Sequence, residues 1–353
     1  MKNKSKILVI NTGSTSTKLG YFEGKEKIFV EQESFTPNEL SKLKSFEAQV
    51  EFRKEKINKI LLGHHISSGE IDIFMCRGGL IKPVTSGVYQ VNKKMCNDLK
   101  YATKQHASNL SAVIGYEMSN TKQNVYIADP VVVDEMQAIA RYSGHKLFER
   151  QSIFHALNHK AVARKYAENV GKKYEYLNLI VVHLGGGISI GAHQKGKVID
   201  VNQALDGEGP FSPERSGTLP SGDLIRMAFS EKYSKEQMLQ MVVGQGGLIS
   251  YLGTSNIREI EKNLDNNKLE ILKAMSYQVA KYIGEMAVVL KGNIDAIILT
   301  GGIAHSKLIT EIIKKYVDFL APVKVFPGED EIEALAYNGF LLLQKVLKPS
   351  VYE

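Results

Sequence analysis

Lys6-Ile7-Leu8-Val9-Ile10-Asn11-Thr12-Gly13-Ser14-Thr15-Ser16-Thr17-Lys18-Leu19-Gly20-Tyr21-Phe22 opens the chain with a β-branched apolar run, a turn of small polar residues and a second apolar run. That order predicts a strand, a Gly/Ser/Thr turn and a returning strand. Half a chain later Leu179-Ile180-Val181-Val182-His183-Leu184-Gly185-Gly186-Gly187-Ile188-Ser189-Ile190-Gly191 has the same format. With Asn11 laid on His183, Gly13 falls on Gly185, and Gly20 falls one position beyond Gly191. Two related α/β halves account for the repeat.

Turns built from small residues let backbone N–H groups approach a phosphate without Cβ obstruction. Ser14 and Ser16 add hydroxyls and Lys18 adds charge, although two ordinary hairpins would read the same way. A third run, Ile294-Asp295-Ala296-Ile297-Ile298-Leu299, leads into Thr300-Gly301-Gly302-Ile303-Ala304, a strand feeding a Gly-Gly turn and then a helix. Such a turn backs a nucleotide in many α/β proteins. Upstream, Leu272, Met275, Val279, Ile283, Met286 and Leu290 recur at three- and four-residue steps and predict a helix over 268–291. Helical patterns also cover 104–119, 134–143, 155–169 and 306–319, and a last one runs from Glu331 to Leu347. Val125–Ala128 and Val323–Phe326 read as strands. The alternation predicts α/β sheets covered by helices. It divides into a domain over 1–146, with residues 331–353 packing back on it, and a second domain over 147–330.

The 353 residues are 43% hydrophobic and 24% charged, which predicts an ordinary folded protein with sizeable cores. A formal charge of +7 is spread along the chain, apart from Lys2, Lys4 and Lys6. A nucleic-acid binder would cluster its excess in a stripe or tail, so no nucleic-acid partner is expected. Mild basicity also suits anionic metabolites. Cys76 and Cys96 lack metal-ligand spacing and read as reduced thiols. No stretch approaches the roughly 18 apolar residues of a membrane span, and Ile7–Ile10 is too short for a signal segment. The expected location is therefore cytoplasmic, with no membrane partner.

Asn11 to Lys18 resembles the opening signature of the acetate and butyrate kinases, members of the sugar kinase, actin and heat-shock chaperone ATPase superfamily. The resemblance continues in order through Arg77-Gly78-Gly79, Ala128-Asp129-Pro130, Ile153-Phe154-His155-Ala156-Leu157-Asn158-His159, His183 to Gly187, Gly253-Thr254-Ser255-Asn256-Ile257-Arg258 and Thr300 to Ile303. It spans residue 6 to about 340. It implies two duplicated ribonuclease H-like domains with a nucleotide cleft between them, and ATP-dependent phosphorylation of a short-chain carboxylate. ATP/ADP and Mg²⁺ would be the cofactors, and a homodimer or larger homo-oligomer the assembly.

Residue by residue, the resemblance puts Asn11, Ser14, Ser16 and Lys18 at the transferred phosphate. Asp129 would lie near Mg²⁺ and the reacting group, and His155 would stabilise the transition state. His183, Gly185, Gly186 and Gly187 match the β-phosphate loop. Asn256, Arg258, Gly301, Gly302 and Ile303 would lie beside the adenosine. Arg77, His106 and Arg215 are the candidates for the carboxylate substrate. Glu331, in Glu329-Asp330-Glu331, is the candidate metal ligand beside Asp129. Acetate kinases carry an arginine three residues before Arg77, where Phe74 stands here, and another just before a Ser/Cys-Gly-Asp triplet, where Leu219-Pro220 stands. Arg77-Gly78-Gly79-Leu80 and Pro213-Glu214-Arg215-Ser216-Gly217 fit the butyrate kinases better.

The chemistry is consistent with that expectation. Phosphoryl transfer is catalysed mostly by positioning and positive charge, and a carboxylate acceptor, ionised above about pH 4–5, needs no general base. A hydroxyl acceptor would need one, and Asp129 could supply it. The rival readings are thus a sugar-type kinase or phosphatase and a nucleotide-gated interaction protein. Each residue also has a plainer reading: Asp129 as a turn residue, Arg77 as a solvated loop charge, His155 as a core histidine, Glu331 as a first-turn helix acid.

Overall fold

Residues 5–103 and 105–353 are described by the computed structural model; Lys2 and Lys4 of the basic start, and Lys104 at the head of one expected helix, lie outside them. In chain order the strands are β1 (Lys6–Thr12), β2 (Ser16–Glu23), β3 (Glu26–Ser34), β4 (Ile73–Arg77), β5 (Val88–Gln90), β6 (Val125–Ala128), β7 (Asn178–Leu184), β8 (Ile188–Gln194), β9 (Lys197–Val201), β10 (Ala296–Gly301), β11 (Val323–Pro327) and β12 (Ser350–Val351). The chain divides into two units. One holds the residues up to 133 together with 330–353, and the other holds 134–329.

The first unit is built on a sheet ordered β12-β5-β6-β4-β1-β2-β3, the second on a sheet ordered β11-β10-β7-β8-β9. Setting β7, β8, β9, β10 and β11 on β1, β2, β3, β4 and β6 makes the two orders coincide. The directions coincide too: the first three strands of each set form an antiparallel meander, and the next two join in parallel. Each meander even shifts register at the same place, between Tyr21 and Phe22 and between Ala192 and His193. These are two duplicated ribonuclease H-like domains.

Pairing also explains the one-residue offset in the sequence comparison. Thr12 pairs with Thr17, and Leu184 with Ile188, so the second turn is one residue shorter. Gly20, opposite Val9, therefore corresponds to Gly191, opposite Val181. The two glycines stand where a helix crosses each sheet. A Cβ on Gly20 would lie 2.5 Å from Ile332 Cγ2, and one on Gly191 would lie 3.3 Å from His159 Nδ1.

Strand alternation divides each core in two. In the first unit Leu8, Ile10, Phe74 and Cys76 face one way, onto Val50, Ile57 and Leu61 of the helix Phe46–Gly63 and Ile114 of the helix Ser108–Met118. On the other face the helix Glu331–Leu343 lies across the sheet, and its Gly339 leaves no room for a Cβ beside Ile7 and Met75. In the second unit Ile180, Val182, Ile297 and Leu299 pack on Leu272, Met275, Val279 and Ile283 of the helix Asn266–Val289. Leu179, Val181 and Ile298 pack on Val162, Ala163 and Tyr166 of the helix Ala156–Asn169. Full burial of such side chains contributes about 1.5–3 kcal/mol each.

One expected helix is absent. Residues 134–143 form an irregular segment with a single 3₁₀ turn at Ala138–Arg141. The Asp134 carboxylate takes both Arg141 guanidinium nitrogens at 2.7 Å and the Met136 amide at 3.2 Å, while the Gln137 amide donates to Ile199. These bonds replace an i→i−4 ladder. Among the described residues no helix is long and apolar enough to cross a membrane. Both cysteines are free, and burial pushes the Cys96 thiol up to about 12 and Cys76 higher still.

Candidate active site

In the first unit the expected residues converge at the carboxyl ends of β1, β4 and β6, the end where open α/β sheets bind ligands. Asn11 is the last residue but one of β1, Arg77 closes β4, Asp129 follows β6, and Glu331 begins the helix Glu331–Leu343. Asn11 Nδ2 donates to Glu331 Oε2 at 2.8 Å. Arg77 Nη1 donates to Asn11 Oδ1 at 3.3 Å and lies 3.7 Å from Glu331 Oε2. Glu331 is 5% exposed and Asn11 7%, and with the half-buried Arg77 they form an interlocked polar cluster.

Asp129 is buried and has a backbone φ of +39°, a conformation uncommon for a residue with a side chain. Reciprocal bonds hold it there: its amide donates to the Gly87 carbonyl at 2.9 Å, and its Oδ1 accepts the Gly87 amide at 2.8 Å. Ser14 lies in the β1–β2 turn, and Ser16 and Lys18 lie on β2, with Lys18 paired to Asn11. His106 precedes the helix Ser108–Met118, and its Nδ1 accepts the Ser108 amide at 3.2 Å with the Ser108 hydroxyl 2.8 Å away. With Nδ1 accepting, the neutral ring carries its proton on Nε2. Ser111 of that helix accepts the Thr12 amide at 3.0 Å, tying the helix to the end of β1.

Sequence reasoning overlooked Arg53. It is fully buried on the helix Phe46–Gly63 beneath the β1–β2 turn, where it donates to oxygens of Ser14, Ser16 and Thr17. The helix carries a Val50-Arg53-Ile57-Leu61 spacing, but an arginine at a core position breaks the apolar stripe that would have revealed it.

The second unit repeats the arrangement with different chemistry. His183, at the Asn11 position of the repeat, is buried; its Nδ1 meets Asn158 Oδ1 at 2.9 Å and its Nε2 meets Glu329 Oε1 at 3.2 Å. The His155 ring stacks on the His183 ring with 3.8 Å between centroids. His155 Nδ1 lies 2.9 Å from Ser189 Oγ, which also meets His159 Nε2 at 2.9 Å. From there the chain runs through His193, 3.2 Å from His159, to the Tyr174 hydroxyl at 2.7 Å. Burial, reinforced by neighbouring cationic groups, holds His159 and His193 well below the usual histidine range. Ser189, His159 and His193 were not singled out from sequence; the i, i+4 spacing of His155 and His159 was the available signal.

Gly185, Gly186 and Gly187 form the β7–β8 turn, closed by a 3.2 Å bond from the Gly185 amide to the Gly187 carbonyl. Gly301 ends β10 with φ +89°, and a Cβ there would run into the Leu184 carbonyl, so only glycine lets β10 end so close to β7. A cavity of about 490 Å³ is lined by Gly185, Gly186, Asn256, Arg258, Gly302 and Ile303, with Glu214, Glu261 and His305 contributing unanticipated polar groups. That size and mixed lining suit a small ligand. The Asn256 side chain also caps the short helix Ile257–Lys262 by accepting the Glu259 amide at 3.3 Å. Arg215 donates through Nη1 to the Ala204 carbonyl, directly against Gly187, and burial lowers its pKa.

Among the described residues there is no group of three or more His, Cys, Asp or Glu side chains able to hold a metal. A Mg²⁺ that arrives with nucleotide phosphates needs only one or two carboxylates. Asp129, after β6, and Glu331, at the start of the helix Glu331–Leu343, are the two carboxylates that could hold such an ion.

The duplicated ribonuclease H-like fold thus sets small-residue turns and polar clusters at the strand ends of each unit. Residues 93–323 match the Acetokinase family, and the chain belongs to that family of carboxylate kinases. Solved structures share the fold over nearly the whole chain. Porphyromonas gingivalis acetate kinase is 20% identical with a TM-score of 0.76, covering 96% of this chain and 100% of its own. A propionate kinase from Francisella tularensis is 18% identical, with a TM-score of 0.75 and coverage of 95% and 98%. Entamoeba histolytica acetate kinase is 18% identical, with a TM-score of 0.73 and coverage of 97% and 99%.

Proposed function

We propose that this carboxylate kinase is a butyrate kinase, transferring the γ-phosphoryl group of ATP reversibly to butyrate or a related short or branched acid. A carboxylate oxygen attacks the γ-phosphorus in line, the bond from phosphorus to the bridging oxygen breaks, and its electron pair leaves with ADP. No proton moves, because the acceptor is ionised at neutral pH. The observation that carries this reading is the interlocked Asn11–Arg77–Glu331 cluster at the strand ends. It holds a guanidinium ready for an anionic acceptor, and its own carboxylate, Glu331, is engaged by Asn11 and Arg77.

In this reading Asn11, Ser14, Ser16 and Lys18 bind the transferred phosphoryl group, and Arg77, with His106 and Arg215, orients the acid. His155 donates to the phosphoryl oxygens, and Ser189 fixes the ring that does so. His183 and the three glycines take the β-phosphate, while Asn256, Arg258, Gly301, Gly302 and Ile303 surround the adenosine. Glu331 and Asp129 would hold Mg²⁺, which supplies charge neutralisation at the phosphates when bound. Butyrate is favoured over acetate by the Arg77-Gly78-Gly79-Leu80 and Pro213-Glu214-Arg215-Ser216-Gly217 forms. Phe74, in place of an acetate-type arginine, is buried in the core.

A homodimer or larger assembly belongs to the same proposal. The helix Ser221–Ala228 buries none of its residues and leaves Ile225, Met227 and, just beyond it, Phe229 exposed, an apolar set that association would cover. Comparing kcat/KM for unbranched acids of two to five carbons and for isobutyrate tests the acceptor assignment. A maximum at four carbons is expected, and a maximum at acetate would reassign the substrate.

A further inference from the structure

A buried cation without an anion beside it demands an explanation, because desolvating a charge is costly unless it is paired. Arg53 is such a cation. Its relative exposure is 0%, and no carboxylate among the described residues pairs with it. Burial draws its pKa down to about 10, so it stays cationic at neutral pH. Nη1 donates to the Ser16 carbonyl at 2.8 Å and to the Thr17 hydroxyl at 2.9 Å, and Nη2 donates to the Ser14 carbonyl at 3.3 Å. Nε has no partner. The guanidinium lies 4.8 Å from the Phe35 ring centroid, and Phe35 itself donates its amide to the Thr15 carbonyl at 2.8 Å.

The carbonyls of Ser14, Thr15 and Ser16 are thus all turned toward the protein. The amides of Ser14 and Thr15 take no partner among the described residues. Peptide groups ordered with oxygens inward leave their N–H dipoles for an anion outside.

We propose that Arg53 is the positioning residue of the 13–17 turn. Its guanidinium pins the Ser14 carbonyl inward, so that the Thr15 amide of the same peptide unit faces the transferred phosphoryl group beside the Ser14 amide, and that group supplies the negative charge that Arg53 lacks in the protein. The inference rests on the assignment of this turn to the phosphoryl group. Arg53 touches no reacting atom; it acts through the turn.

Arg53→Lys retains the charge but cannot reach three oxygens from a fork, and Arg53→Met removes both charge and fork. With ATP varied at saturating acid, kcat/KM is expected to fall at least about tenfold in Arg53→Lys and further in Arg53→Met, the order expected when preorganised donors are lost. The KM for butyrate should stay within about twofold, since uniform effects on acceptor binding are not involved. A purely structural role predicts the reverse: a lower Tm in both variants, with unchanged kinetic constants per folded molecule. Unchanged ATP kinetics in folded Arg53→Met overturns the proposal. Lys18→Met separates the two layers of argument. If it abolishes transfer while both Arg53 variants resemble wild type, the turn assignment stands and the Arg53 role falls. If Lys18→Met also leaves transfer intact, the turn is not the phosphoryl site and both fall.

Discussion

In the proposed reaction Arg77 and His155 take two contrasting tasks, and their surroundings differ accordingly. Arg77 is half-buried and shares Glu331 with Asn11, which holds the guanidinium in place without fully neutralising it. Arg77→Ala is expected to raise the butyrate KM at least about tenfold with a smaller change for ATP, the signature of lost substrate binding; a changed ATP KM alone would remove Arg77 from the acceptor side. His155→Ala should instead lower kcat at least about a hundredfold with little change in ATP KM, as for a donor used in the transition state. Initial-rate measurements of both variants decide the split, and wild-type kinetics in His155→Ala would make the ring structural. Both were singled out in the sequence because each sits in a short motif, Arg77 at the end of β4 and His155 just before the helix Ala156–Asn169. Arg53, Ser189 and His193 were not, because each lies inside an element and shows its importance only through what it touches across the fold.

Among the elements, the β-meander repeat was readable from its first two strands and the spacing of its glycines. The third strand was not. β3, Glu-Lys-Ile-Phe-Val-Glu-Gln-Glu-Ser over residues 26–34, runs along the sheet edge with most of its side chains exposed, so no apolar alternation marks it. The false helix over 134–143 failed for the opposite reason: its periodicity was adequate, but the Asp134–Arg141 pair and the Gln137 bond to Ile199 claim the backbone. Gly20 and Gly191 show why small residues recur at one point of the repeat, where a helix crosses close to β2 and β8. Gly20→Ala places a methyl 2.5 Å from Ile332 Cγ2. It is expected to cost about 1–3 kcal/mol by overpacking. Urea unfolding read as a midpoint shift checks this, and an unchanged midpoint would mean that the helix Glu331–Leu343 gives way freely.

For the molecule as a whole, buried neutral histidines make stability depend on pH. His159 and His193 stay uncharged in the fold, with pKa values held well below 6.5, whereas in the unfolded chain they take up protons near 6.5. The folded state then binds fewer protons, so the stabilisation is complete above about pH 6.5 and drains away as pH falls below it. Tm should drop between about pH 7.5 and 5.5, and His193→Gln should reduce that drop, since one proton-linked site is gone. Equal slopes would mean that other groups govern acid sensitivity. The formal charge of +7 gave little beyond the exclusion of a nucleic-acid stripe, whereas the duplicated strand order and the Acetokinase match fix the class of chemistry.

The most direct test is chemical trapping of the product. Incubated with Mg-ATP, butyrate and hydroxylamine, the protein should form butyryl hydroxamate in step with ADP, because an acyl phosphate is the only new electrophile the reaction makes. ADP release without hydroxamate from any acid of two to five carbons would contradict transfer to a carboxylate.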